Sequence, residues 1–289
     1  MLVRRHDGGA IAVALAGKRG GTPLLLCHGL ADSRLFADFL APVGQASGLL
    51  LVAPDRPGTG RSDFRPLSCV VDWAAEAESV LDALGLDHAA VLGISAGGPF
   101  AAACAAALPA RIRALVLVSS LGQLGWGTRG MAAGERMSLL VASRAPTFGG
   151  WFLGRLAALA RRSPELFLRI ATSELPKADR AALKQPEERT AFVAGYLEAF
   201  RHGSAGVAQD LRVLTRPWGF ELSAIRVPTW IHHGDADTTV PLRHAHRFAA
   251  AISDAELVVH PGQGHFSLDV TTAEVLSSTA RAAVLGRRD

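Results

Sequence analysis

The sequence predicts an α/β protein, with a mostly parallel central sheet flanked by helices and interrupted by a helical insert. Three observations carry that reading. Short, continuous apolar runs recur before residue 120 and again after residue 216. Between them lie stretches whose apolar residues repeat at helical spacing, whereas residues 121–216 contain no strand-like run. Strands and helices that alternate in this way build βαβ units, and the parallel sheet they form needs covering on both faces.

In chain order, Pro23-Leu24-Leu25-Leu26-Cys27 is a short apolar run ending at His28-Gly29, as expected of a strand buried on both faces. Asp32 or Ser33 offers a cap for a helix carrying Leu35, Phe36, Phe39, Leu40 and Val43 on one side. Leu49 to Ala53 is the second strand, closed by Pro54-Asp55-Arg56-Pro57-Gly58-Thr59-Gly60. Trp73, Ala77, Val80, Leu81 and Leu84 mark the next helix, which Gly85 stops. Ala89 to Leu92 is a third strand, Ala101 to Leu108 a small-residue helix, and Arg113 to Val118 a fourth strand. The pattern resumes with a strand at Thr229–His233, a helix from Arg243 to Ile252, a strand at Glu256–His260 and a final helix from about Thr271 to Leu285. Residues 1–120 and 217–289 therefore form one core domain, and 121–216 a helical insert with Pro146, Pro164, Pro176 and Pro186 between its helices.

With 289 residues, 49% hydrophobic and 19% charged, the chain can bury a large core and is not a disordered protein. Cys27, Cys69 and Cys104 are scattered, which argues against a disulfide framework and for a reducing compartment. The net charge of +4 comes from 30 basic residues, of which only Lys18, Lys177 and Lys184 are lysines, and no basic run exceeds two. With a single tyrosine and no aromatic-plus-basic repeat, this is an arginine bias and not a nucleic-acid footprint. The insert holds 14 basic and 8 acidic residues, against 16 and 18 in the remainder. Its charge reads either as a solvated helical face or as a lid whose field favours anionic or electron-rich substrates.

The N-terminal segment turns charged and glycine-rich at once, unlike a signal peptide. The uncharged stretch Ala89–Ala110 is broken by Gly93, Ser95, Gly97, Gly98 and Pro99, so it reads as strand, turn and helix and not as a membrane span. A cytoplasmic protein acting on a small molecule, with neither nucleic acid nor membrane as partner, is the expectation.

Chemistry concentrates at Gly93-Ile94-Ser95-Ala96-Gly97, a G-x-S-x-G sequence between a buried strand and a helix. A serine on so tight a turn is held in strained backbone with its hydroxyl raised above the sheet, and the Ala96 amide stands at a helix N-terminus. Serine needs a base, and the base an orienting acid. His265 lies in Pro261-Gly262-Gln263-Gly264-His265-Phe266 after the last strand, and Asp235 and Asp237 follow the strand before it. All of them sit at carboxyl ends of parallel strands, where such sheets build their sites.

With these segments the chain resembles the α/β-hydrolase fold superfamily, serine hydrolases with a helical cap domain. The resemblance rests on Leu26-Cys27-His28-Gly29-Leu30, Asp55 to Ser62, the Ser95 elbow, Gly234 to Pro241 and Gly264-His265. It implies a catalytic triad of Ser95, Asp237 and His265, with Asp237 chosen over Asp235 by the pattern Gly-x-x-Asp-x-x-Val-Pro. It also implies an oxyanion hole made by the backbone N–H groups of Leu30 and Ala96. His28, Gly29, Trp126 and Trp151 are expected to touch substrate, and Asp55 and Arg56 to be paired scaffolding. His232, His233, His244 and His246 point apart on their strand and helix, so no metal is expected, and the chemistry calls for no cofactor.

The implied activity is hydrolysis of a carboxylic ester or related acyl bond through an acyl-enzyme. Open beside it are a C–C bond hydrolase, lactonase, aminopeptidase or cofactor-free perhydrolase on the same triad. An acyl transferase, and a ligand-binding sensor that keeps the scaffold without turnover, also stay open. Oligomeric state is not legible in the sequence.

Overall fold

A computed structural model describes residues 1–5 and 8–268, together with Val275, Ser278, Thr279 and Ala282. Apart from those four positions, the helix expected from Thr271 to Leu285 lies outside the described residues. Eight strands form one sheet: β1 (Leu2–Arg4), β2 (Ala10–Gly17), β3 (Thr22–Cys27), β4 (Leu49–Pro54), β5 (Ala89–Ile94), β6 (Ile112–Val118), β7 (Thr229–Gly234) and β8 (Ala255–His260). Their order is β1-β2-β4-β3-β5-β6-β7-β8. From β4 to β8 every neighbour is parallel, while β1 and β2 add an antiparallel edge. The sequence reading missed these two strands. In the run Ala-Ile-Ala-Val-Ala-Leu-Ala-Gly of β2, Ile11, Val13 and Leu15 alternate with alanine, so it shows neither an unbroken row of large apolar side chains nor a polar outer face.

Period-2 alternation divides the inner strands between two cores. Leu25 and Cys27 point to the side covered by α2 (Trp73–Ala83), α3 (Gly98–Ala107) and α10 (Arg243–Ala251). Leu24 and Leu26 point to the opposite side, covered by α1 (Phe36–Ala46) and by Leu268, Val275 and Ala282. Both sets are almost wholly buried. Each such side chain stabilises the fold by about 1.5–3 kcal/mol relative to exposure, which is why the strands are continuous apolar runs. α1 starts without a side-chain cap, contrary to expectation, because Asp32 Oδ1 accepts from the neighbouring Ser33 amide at 2.7 Å and turns inward instead.

Between β6 and β7 the chain runs through α4 (Ala133–Arg144), α5 (Pro146–Arg162), α6 (Pro164–Ala171), α7 (Lys177–Ala182), α8 (Pro186–Ala199) and α9 (Ala205–Leu214). Proline opens α5, α6 and α8, where its missing N–H costs nothing. Phe167, Tyr196, Phe200, Val207 and Leu211 make a separate apolar cluster in this segment, joined by Ala31 from the loop after β3. No helix among the described residues is long and apolar enough to cross a membrane. Ala89–Ala110 is instead β5, a 3₁₀ turn and α3.

The chain leaves β3 towards β4 on one side and β5 towards β6 on the other. The carboxyl ends of β3 and β5 therefore flank the switch point of the sheet, where folds of this kind place their sites. Register pairs Cys27 with Gly93, so His28-Gly29 emerges beside Ile94-Ser95.

Candidate active site

Ser95 begins a 3₁₀ turn at the end of β5 with a φ of 53°, in the left-handed region that a serine occupies only under constraint. Its neighbours explain how the turn closes. A Cβ on Gly93 would stand 2.7 Å from the Cβ of Ala101 and from the carbonyl oxygen of Gly97, and one on Gly97 would stand 2.6 Å from the carbonyl oxygen of His28. Glycine at both places lets strand, turn and helix touch.

The structure brings Ser95, His265 and Asp237 together from three strand ends. Ser95 Oγ lies 2.9 Å from His265 Nε2, and His265 Nδ1 lies 2.8 Å from Asp237 Oδ2. The other carboxylate oxygen, Oδ1, accepts from the backbone amides of Thr239 at 2.9 Å and Val240 at 2.8 Å. Both its oxygens are thus held, and the imidazole has one orientation. Asp235 is used differently: its Oδ1 accepts from the Gly262 amide at 2.7 Å. Burial disfavours the charged form of His265, but the Asp237 carboxylate, joined by Asp179 and Glu135, outweighs it and raises the ring's pKa above its ordinary 6.5.

The loop after β3 is held from below by Arg56, whose side chain is wholly buried. Its Nη1 donates to the carbonyl of His28 at 2.6 Å and its Nη2 to that of Gly29 at 2.8 Å. His28 Nδ1 also meets the Gly29 carbonyl, at 3.0 Å, and burial together with Arg56 holds the His28 pKa well below normal, so the ring is neutral. A trans peptide points its N–H opposite to its C=O. Anchoring the Gly29 carbonyl on Arg56 and His28 therefore aims the Leu30 amide away from them. Ala96 is the second residue of the 3₁₀ turn, where its amide has no intrahelical acceptor. Gly29 packs beside Ser95, with room for a Cβ 3.8 Å from that of the serine.

Asp55 and Arg56 do not pair with each other. Arg56 binds Asp210 of α9 through Nε at 2.9 Å, and Asp55 binds Arg34 at 2.6 Å. Both ties link the sheet to other parts of the chain, and no local pattern announces them. Asp179 of α7 is a second site neighbour that sequence reasoning missed: it accepts from the amide of His265 itself at 2.9 Å. Trp126 packs among Trp218, His244 and Phe248, and Trp151 stacks on Phe148 with 54% of its surface exposed; neither contact places the ring beside Ser95. His232 pairs with His260 at 3.0 Å, His233 lies 2.8 Å from the Val240 carbonyl, and His244 accepts from the Gly122 amide at 3.0 Å.

A model of the alpha/beta hydrolase fold family matches residues 22–271. The chain is 27% identical over 262 residues to the uncharacterized hydrolase YcgS of Bacillus subtilis, covering 90% of this chain and 89% of that one. It is 28% identical over 258 residues to a 2-hydroxymuconate semialdehyde hydrolase of Pseudomonas putida, covering 86% and 82% respectively. A bromoperoxidase from Bacillus anthracis superposes with a TM-score of 0.71 at 19% identity, covering 100% of this chain and 99% of that one, which is a likeness of fold.

Proposed function

Because the chain belongs to the alpha/beta hydrolase fold family, we propose that it is a serine hydrolase that cleaves a carboxylic ester or related acyl bond of a small molecule. The observation that carries this reading is the unbroken hydrogen-bonded chain from Asp237 through His265 to Ser95. In the proposed reaction His265 Nε2 takes the Ser95 proton as Oγ attacks the substrate carbonyl. Asp237 keeps Nδ1 protonated and favours the imidazolium. The negative oxygen that forms is met by the N–H groups of Ala96 and Leu30, each worth about 3 kcal/mol of transition-state stabilisation. His265 then protonates the leaving alkoxide, and water attacks the acyl-enzyme by the same route in reverse. Residues 121–216 act as a cap over this site.

Turnover of a short-chain p-nitrophenyl ester by the wild type, absent in Ser95→Ala, is the test; equal turnover by the two proteins refutes the reading. A second reading takes a conjugated semialdehyde as substrate, supported by the 28% identity to the P. putida enzyme that bears such a substrate in its name. Comparing kcat/KM for 2-hydroxymuconate semialdehyde and for the ester separates the two.

A further inference from the structure

We propose that Asp179, on α7 of the helical segment, is a positioning residue for His265, so that the base is held in working geometry by the segment that covers it. The inference rests on the triad reading above and deepens it. Asp179 is wholly buried although it belongs to a short, charged helix, Lys177–Ala182. Its carboxylate collects four donors from the loop after β8. Oδ2 accepts from the His265 amide at 2.9 Å, and Oδ1 accepts from the Phe266 amide at 3.1 Å, the Ser267 amide at 2.8 Å and the Ser267 hydroxyl at 2.7 Å. Three successive amides converging on one carboxylate fix the peptide planes on both sides of His265, in a stretch with no helix or strand to fix them otherwise.

The neighbourhood is shaped for this contact. A Cβ on Gly264 would run into the Asp179 carboxylate, so glycine before the histidine is what allows the approach. The segment touches the same loop a second time, where Phe192 of α8 meets Phe266 edge-on with centroids 5.6 Å apart. α7 itself is braced by Arg180 Nη1 donating to the Leu175 carbonyl at 2.6 Å.

A carboxylate here also acts through its charge. The ionisable groups facing His265 are Asp237 after β7, Asp179 on α7, Glu135 on α4 and His233 on β7. The three carboxylates favour the imidazolium, and Asp179 is the one bound to the histidine's own backbone. A mere tie between segment and sheet would hold the fold without moving the histidine's titration.

The test is Asp179→Asn, which keeps the shape and one acceptor oxygen but removes the charge. His265 is titrated by NMR in both proteins, with Ser267→Ala, which keeps the charge, as control. The expected result is a His265 pKa lower in the Asn variant than in wild type, unmoved in Ser267→Ala. Ester kcat falls between about 10-fold and 10²-fold in Asp179→Asn with KM within about twofold. An unmoved titration, or a kcat within twofold of wild type, overturns the proposal, whatever the melting temperature does. If the Asn variant does not fold, Asp179→Glu carries the test: kcat must fall with the pH profile in place, and an unchanged kcat overturns it. The titration does not depend on turnover, so it separates failure of this proposal from failure of the triad, which Ser95→Ala tests.

Discussion

At Ser95 a side chain of ordinary reactivity stands in an unusual backbone state, with the His265 ring 2.9 Å from its hydroxyl. Replacing Ser95 with alanine removes the proposed nucleophile from a position where a methyl group fits. We expect kcat to fall about 10⁴-fold or more with the far-ultraviolet circular dichroism unchanged. The pH dependence follows from the ring. Below its pKa His265 already holds a proton on Nε2 and cannot take one from Ser95, so kcat/KM falls as pH falls. Because Asp237, Asp179 and Glu135 together outweigh burial and raise that pKa, the acid limb should have its midpoint above 6.5. A rate profile on an ester settles this, and a midpoint below 6.5 contradicts the electrostatics described here.

The elements matter because they bring strand ends into register. The turn after β5 passes so near the loop after β3 that Gly97 has no space for a methyl group beside the His28 carbonyl. Gly97→Ala should therefore push the two loops apart and cost about 1–3 kcal/mol in denaturant unfolding, together with much of the ester activity. The equivalent change at the exposed Gly20, where nothing lies near an added Cβ, should leave activity intact.

How much of this was legible in the sequence depended on how local the cause was. β3 to β7 were readable because burial on both faces forces apolar side chains into an uninterrupted run, and β8, only partly buried at the sheet edge, from its Leu257-Val258-Val259 run. β1 and β2 were not, since β1 is three residues long and the alternation in β2 sets Ile11, Val13 and Leu15 against alanine, with no polar face to reveal it. Ser95, Asp237 and His265 could be named because each sits at the end of a strand within a recognisable turn. Asp179 and Asp210 could not, since a carboxylate on a helix looks solvated until the fold shows that its donors lie 86 and 154 residues away in the chain.

On the scale of the whole molecule, the helical segment is tied to the sheet by buried charge. Arg56, stacked 4.5 Å from the Phe100 ring centroid, joins two loop carbonyls to Asp210 on α9. Breaking that pair from one side leaves the other charge buried and unmatched, so Arg56→Met should destabilise the protein by about 3–5 kcal/mol, measured by urea unfolding. Arg56→Met combined with Asp210→Leu should recover part of that loss while activity stays low, because the Gly29 peptide that aims the Leu30 amide has still lost its anchor. Full recovery of activity in the double variant would show that Arg56 does not position that loop.

The central claim is that Ser95 is a nucleophile made reactive by His265, and covalent capture tests it most directly. After incubation with a fluorophosphonate, intact-mass spectrometry should show wild-type protein carrying one adduct, mapped to Ser95 by peptide sequencing. Ser95→Ala should remain unlabelled, and His265→Ala should label far more slowly. Labelling of Ser95→Ala at the wild-type rate, or a wild-type protein that stays unmodified, would contradict the account.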